Sequence, residues 1–452
     1  MDDGELTVSV AGLRSRAGPL TWSQRGMGEM IGSFREFAHR LSLRAVRPVP
    51  GGTTTEQIAT RLTEALTRHE SLRTRYLAGP RQVVASSATV NVSLVDVPDP
   101  GAADDAAAET CAALAGRPFT EDDLPVRVAL VRHGSTPLRL VLVCSHLSTD
   151  QWSFELLQRL LLGTAEAPSG PATHPLDQVA YETSAKGRRD LDRTVDRWRQ
   201  ELARAAGGTS AAGTRPDRSN PEPRLHVARF RSAAALAACR LLAAGHRVGV
   251  AQVLLAATAC AYAVPRGRRA AALQLATTNR ITPADRHEIS CRSGTAIAVL
   301  DVRRPSFSEI LAESAQQSIL AVRYGMADPA AVRRVIDDAV RSGSLADPAS
   351  YFNFHGDSGV GAGDREAWRR TVLDAGPQDC ELHWADGADW NVTQFYLHAA
   401  ASETDLTLEL HLDPAFLPDA EAEEFFARLQ RLLLAAARGA DDMDRMRGVD
   451  DQ

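Results

Sequence analysis

An interruption in the middle of this chain constrains its fold more than any other feature. Residues 163–174 (Gly-Thr-Ala-Glu-Ala-Pro-Ser-Gly-Pro-Ala-Thr-His) and 207–223 are rich in Pro, Gly and Ser. Such clusters read as connections, not as elements. Between them, 175–206 reads as a charged amphipathic helix with Leu191, Val195 and Trp198 on one face. Each half must therefore bury its own core, and 452 residues suffice for two or three domains. The expected division is an N-terminal lobe over 1–168, a linker and bridging helix over 169–223, and a C-terminal lobe over 224–452.

Both halves mix periodicities. Residues 53–69 read as a helix, with Thr53-x-x-Glu56 at capping-box spacing and Ile58, Leu62, Ala65 and Leu66 in one stripe. Residues 19–30 allow a short helix capped by Thr21 or Ser23, and 106–114 a further one. The stretches 82–97, 126–132 and 138–144 are strand-like. In the second half, strands are expected at 226–230, 270–277, 295–302, 350–354, 381–385, 394–399 and 405–411. Helices are expected at 233–244, 251–262, 307–323 and 421–438, and a Gly-rich loop at 355–364. The pattern predicts an α/β fold (α+β, mixed sheets) rather than pure βαβ winding.

The nine residues Ser145-His146-Leu147-Ser148-Thr149-Asp150-Gln151-Trp152-Ser153 separate an apolar run, 138–143, from a helical run with Phe154, Leu157 and Leu161 in phase. Such a loop can present reactive side chains on a rigid frame. Alone, it admits two readings. In one, Asp150 or Thr149 caps the helix and His146 is a partly buried polar residue. In the other, His146 and Asp150 carry chemistry. A neutral imidazole, with a pKa of about 6.5, accepts a proton near neutral pH. Cys144 reads as a packing residue.

Other features exclude functions. A net charge of −6 gives nucleic acid no global electrostatic support, although almost all 51 basic residues are Arg. The six cysteines are scattered without a Cys-x-x-Cys pair, so neither a disulfide framework nor a metal site is expected. The N-terminal residues lack a secretory pattern, and no apolar run reaches about 18 residues. A cytoplasmic monomer with no nucleic-acid or membrane partner is the expectation. Gly359-Val-Gly-Ala-Gly363 lacks the Lys-Ser/Thr of a phosphate loop, and no Gly-x-Ser-x-Gly elbow occurs.

Several stretches, in order, resemble the condensation domains of nonribosomal peptide synthetases. Pro19-Leu-Thr-Trp-Ser-Gln-Arg25 resembles that family's opening motif, and His69-Glu-Ser-Leu-Arg-Thr-Arg75 its HExLRTRF helix end. Arg117-Pro-Phe119 and Leu124-Pro-Val-Arg127 resemble the segment before the central strand. Ser145-His146-x-x-x-Asp150-Gln151 falls where the family carries HHxxxDG. Thr278-Asn279-Arg280 resembles its xNR segment and Tyr351-Phe-Asn353-Phe-His-Gly356 its FNYxG segment. Each is weak alone; six in family order cover nearly the whole chain.

The resemblance implies two lobes, each like chloramphenicol acetyltransferase, in a V-shaped pseudo-dimer with a tunnel between them. It implies an acyl, aminoacyl or peptidyl donor held as a thioester on the phosphopantetheine of a carrier protein acting in trans. The acceptor is a small-molecule or carrier-bound amine, giving an amide, or a hydroxyl, giving an ester. No cofactor bound by the chain itself is implied. His146 is the expected base or orienter, and Asp150 the partner of Arg280. Ser145, Gln151, Trp152, Asn353 and Trp390 complete the expected substrate-binding set, with Trp152 read as wall or core. Trp384 and Trp390 flank a loop expected over the tunnel. Two departures stand out: Ser145 replaces a His and Gln151 a Gly. They motivate a competing reading, a non-catalytic recruitment module. A third is acyl transfer from coenzyme A.

Overall fold

The computed structural model describes residues 4–34, 39, 41–77, 79–166, 172–206, 225–342, 350–356, 363–376, 378–388 and 393–443. Trp390, the linker 207–223 and most of the Gly-rich loop lie outside the described residues. The chain forms two compact units. The first comprises Met1–Asp192, Thr278–Gly294 and Met326–Pro329. The second comprises Arg193–Thr277, Thr295–Gly325 and Ala330–Gln452.

The first unit is built on a mixed five-stranded sheet in the order Gly4–Val10, Ala88–Asp96, Val126–His133, Thr136–Cys144, Leu43–Pro48. Ala88–Asp96 and Val126–His133 run parallel; the other neighbours are antiparallel. Leu130, Leu140, Leu142 and Cys144 face the helices Thr55–Arg68 and Gln151–Leu162. Ala129, Val131, Val141 and Val143 face the helix Ala103–Gly116. A strand covered on both faces reads as a continuous apolar run, which is why 138–144 showed no alternation. A separate antiparallel sheet joins Arg16–Pro19, Arg81–Val84 and Thr74–Leu77.

The second unit holds a seven-stranded mixed sheet: Gly294–Asp301, Ala270–Thr277, Ser350–His355, Phe395–Ala401, Leu406–Leu412, Leu225–Ser232, Glu381–Ala388. Its core packs this sheet against Ala233–His246, Val250–Ala263, Phe307–Tyr324 and Asp419–Ala437. No single described helix is long and apolar enough to cross a membrane.

The mixed α/β architecture is as expected; several local readings shift. The capping box is Thr54 with Gln57, one residue later than read. Both polar side chains at the true cap complete reciprocal bonds to backbone N–H groups. Residues 82–97 are two strands, Arg81–Val84 and Ala88–Asp96, belonging to different sheets. The helix over 175–206 breaks at Ser184 into Pro175–Thr183 and Ala185–Ala206. There the Ser184 hydroxyl donates to Tyr181 O and accepts from Gly187 N–H, capping the second helix. Thr21, not Ser23, caps the helix Trp22–Phe34 through reciprocal bonds with Gln24.

That helix meets a buried carboxylate. Both Glu182 oxygens accept from Trp22 N–H, at 3.1 and 3.0 Å, and Gln178 Nε2 donates at 3.3 Å. Burial nevertheless pushes the Glu182 carboxyl up to about 7 from 4.5. The folded chain thus keeps a proton that the unfolded chain releases above pH 4.5, so this group's stabilisation is full below pH 4.5 and is lost as pH rises through about 7. Glu182→Gln has no such loss. Urea denaturation should show the variant gaining on the wild type by up to about 3 kcal/mol between about pH 4.5 and 7.5. A constant gap across that range would refute the assignment.

Candidate active site

The central strand ends at Cys144, whose fully buried thiol is pushed well above its ordinary pKa. Ser145 then turns the chain. Its carbonyl accepts from the backbone N–H of Ser148 (3.0 Å) and Thr149 (3.2 Å) and from both their hydroxyls (2.9 and 3.2 Å). Its own hydroxyl accepts from Leu147 N–H at 3.3 Å. Ser145 is therefore the hub of the turn, satisfied by its own backbone.

The turn sets His146 beside the start of the next helix. His146 is half-buried. Its Nδ1 is buried, and the ring lies against the backbone at His146 and Thr149. Burial lowers its pKa below the ordinary histidine value; the backbone at His146 and Thr149 and the Asp150 carboxylate pull only partly the other way. The imidazole is neutral at neutral pH.

Asp150 caps the helix Gln151–Leu162, as one of the two readings of the loop required. Its Oδ1 accepts from Ser153 N–H at 3.0 Å, while Asp150 N–H donates to Ser153 Oγ at 3.0 Å. Its Oδ2 accepts from Arg280 Nη1 at 2.5 Å and from Arg292 N–H at 2.9 Å. The Arg280 and Asp150 side chains are 1% and 2% exposed, so this ion pair is desolvated. The Ser153 hydroxyl has one proton, within reach of Asp150 Oδ1 and Ser290 O, both at 2.9 Å.

Arg280 comes from 278–294, which by chain order lies between two strands of the second unit's sheet but packs into the first unit. Asn279 starts the excursion in the left-handed region, φ 50°. Asn is among the few residues that adopt that region readily. Arg280 also donates to Thr278 O (3.0 Å) and Ser290 O (3.1 Å). Arg292 binds Glu288 at 2.6 Å, and Ser290 Oγ donates to Glu288 at 2.7 Å. Ile289 is buried in the first unit's core, where Ser71 Oγ donates to its carbonyl. Asp150 is thus held by a folded segment, not by one arginine.

The structure unites His146, Asp150, Arg280 and Ser145 in one place. It treats three other expected residues differently. Gln151 Nε2 donates along its helix to Glu155 at 2.8 Å. Trp152, read as wall or core, is 40% exposed and donates from Nε1 to Arg286 O at 3.0 Å, which leaves the wall reading. Asn353 lies in the second unit, paired with His398 across parallel strands; its Nδ2 is 2.9 Å from His355 Nε2 and 3.4 Å from Tyr396 Oη. Ser153 and Arg292 were missed. Asp150-x-x-Ser153 spacing announces Ser153 as a capping partner. Arg292 acts on Asp150 through a backbone N–H, which no side-chain pattern reveals. Among the described residues no group of three or more His, Cys, Asp or Glu is placed to hold a metal ion.

Comparison with known proteins agrees with this architecture. The condensation-domain profile matches residues 15–446, and the chain belongs to that family, whose members form amide bonds in nonribosomal peptide and polyketide synthetase systems. No curated protein sequence matches it. Among solved structures it is similar to the condensation domain that mediates chain release from the enacyloxin polyketide synthase, with 18% identity over 88% of this chain and 79% of that one, TM-score 0.64. It is similar to SgcC5 from Streptomyces globisporus, solved with a naphthyl ethanediol and sucrose: 15% identity, 93% and 99% coverage, TM-score 0.66. It is also similar to a variant of the starter condensation domain of rhizomide synthetase RzmA, solved with C8-CoA and Leu-SNAC: 17% identity, 95% and 96% coverage, TM-score 0.63.

Proposed function

We propose that this chain transfers an acyl, aminoacyl or peptidyl group from a carrier-protein thioester to an amine. The observation that carries the reading is His146. It is a half-buried imidazole kept neutral by its surroundings, next to a helix start locked by Asp150 and Arg280. His146 Nε2 orients the amine and takes its proton as nitrogen attacks the thioester carbonyl. The C–N bond forms, the C–S bond breaks, and the proton passes to the departing thiolate. Presenting both reactants on this rigid loop supplies much of the rate. Asp150 and Arg280 hold the loop and do not react. Ser145, in place of a second His, shapes the turn through its carbonyl, so its loss of basicity leaves His146's chemistry in place.

The test incubates the purified chain with an acylated carrier protein and a pool of amines, following the carrier by intact mass. Loss of the acyl group with appearance of an amide supports the reading. A carrier that stays acylated with every amine rejects it in favour of a recruitment module. Two variants of the reading have support of their own. SgcC5 was solved with a diol and RzmA with C8-CoA, so alcohols and acyl-coenzyme A belong in the same assay. Equal turnover from acyl-coenzyme A would remove the carrier from the proposal.

A further inference from the structure

His146 stands between Ser145 and Leu147, and both neighbours are tied down. Ser145 O accepts from the Ser148 and Thr149 hydroxyls, and Leu147 N–H donates to Ser145 Oγ at 3.3 Å. These bonds belong to the loop itself. Leu147 O is held from another element: it accepts from Gln24 Nε2, a residue 123 positions away, at 3.4 Å. Gln24 lies in the first turn of the helix Trp22–Phe34 and is fully buried. One turn further on, Gly28 brings the same helix against the Leu147 side chain. A Cβ at Gly28 would lie 3.7 Å from Leu147 Cδ2. The helix that follows the opening motif therefore backs onto the loop that carries His146.

Backbone partners fix which way the Gln24 amide points. Thr21 N–H can only donate, and it donates to Gln24 Oε1 at 2.9 Å. Leu147 O can only accept, so it takes the Nε2 end. Gln82, fully buried on Arg81–Val84, steadies the side chain. Its Nε2 donates to Gln24 Oε1 at 3.0 Å, and its Oε1 accepts from Gln24 Nε2 at 3.3 Å. The Tyr76 hydroxyl bonds the same amide. Three residues after a helix cap, an acceptor is all that capping requires, and Glu serves there as well as Gln. Leu147 O adds the need for a donor on the far side, and a primary amide carries both. We infer that Gln24 is a positioning residue: through Leu147 it sets where the His146 imidazole stands. Its effect on rate rests on the acyl-transfer reading; its effect on the loop does not.

Gln24→Glu keeps the length and the acceptors; ionised, it has no proton to give, and protonated it regains one. Gln24→Met loses both ends. Gln82→Met is the control, since it breaks the amide pair but leaves the bond to Leu147. With an acylated carrier and an amine at about pH 8, both Gln24 variants should lower kcat by about ten- to hundredfold, with KM for the carrier within about twofold. Toward about pH 6 the kcat of Gln24→Glu, relative to wild type, should recover, because burial favours the protonated carboxyl. Gln24→Met should show no recovery, and Gln82→Met should keep kcat within about threefold of wild type. Amide hydrogen exchange at Ser148 and Thr149 needs no turnover. It should quicken by about tenfold in the Gln24 variants and not in Gln82→Met. Unchanged exchange overturns the inference, as does an equal loss of kcat in Gln82→Met. Failure of both Gln24 variants to fold assigns the residue to the fold and overturns it too. Should exchange quicken as expected while the wild type acylates no amine, the acyl-transfer reading fails and the hold on the loop stands.

Discussion

His146→Ala is expected to leave the chain folded and to cut acyl transfer by roughly 10²–10⁴-fold. The first part follows from the turn, which is held by Ser145, Ser148 and Thr149. The second follows from the proposed chemistry, since no other imidazole adjoins this helix start among the expected site residues. The pH profile adds a sharper check. Burial lowers the His146 pKa below 6.5, so the base stays neutral on the acid side of the ordinary histidine range. The acid limb of kcat/KM should then fall below pH 6.5 and vanish in His146→Ala. Unchanged product formation by a folded His146→Ala protein removes His146 from the mechanism.

Asp150→Ala should destabilise the chain by about 3–5 kcal/mol, because it strands a buried guanidinium. Arg280→Met strands the carboxylate and should cost a similar amount. Asp150 also loses its cap on Gln151–Leu162, an effect of about 1 kcal/mol that Arg280→Met does not share. The pair is desolvated on both sides, and its partners are further protein groups instead of water. The double variant should therefore cost less than the sum of the singles, by about 0.5–3 kcal/mol. Chemical denaturation of the four proteins measures this. Strict additivity would mean that Asp150 and Arg280 act separately. Activity should fall in both singles through misplacement of His146, and the residual activity should keep the wild-type acid limb.

Much of this was legible in the residues. Ile58, Leu62 and Leu66 announce their helix, and 270–277 is a strand with the bounds read from its pattern. The order of motifs pointed to the condensation-domain family before any geometry. Errors came where local pattern ran through a junction. The helix break at Ser184 leaves the amphipathic rhythm almost undisturbed, and the split at 85–87 divides one apolar stretch between two sheets.

What the sequence determined alone was local and additive: periodicity, caps, and the presence of His146, Asp150 and Arg280 in a recognisable order. What only the tertiary structure decided was their company. Arg280 lies 130 residues from Asp150 and reaches it because Asn279 diverts the chain into the first unit. Arg292 contributes a backbone N–H that no side-chain pattern announces. Hydrogen-bond capacity is a property of groups brought together, and desolvation is set by whatever surrounds them. Neither is written at a single position, so the lowered pKa of His146 and the locked Asp150 had to wait for the fold.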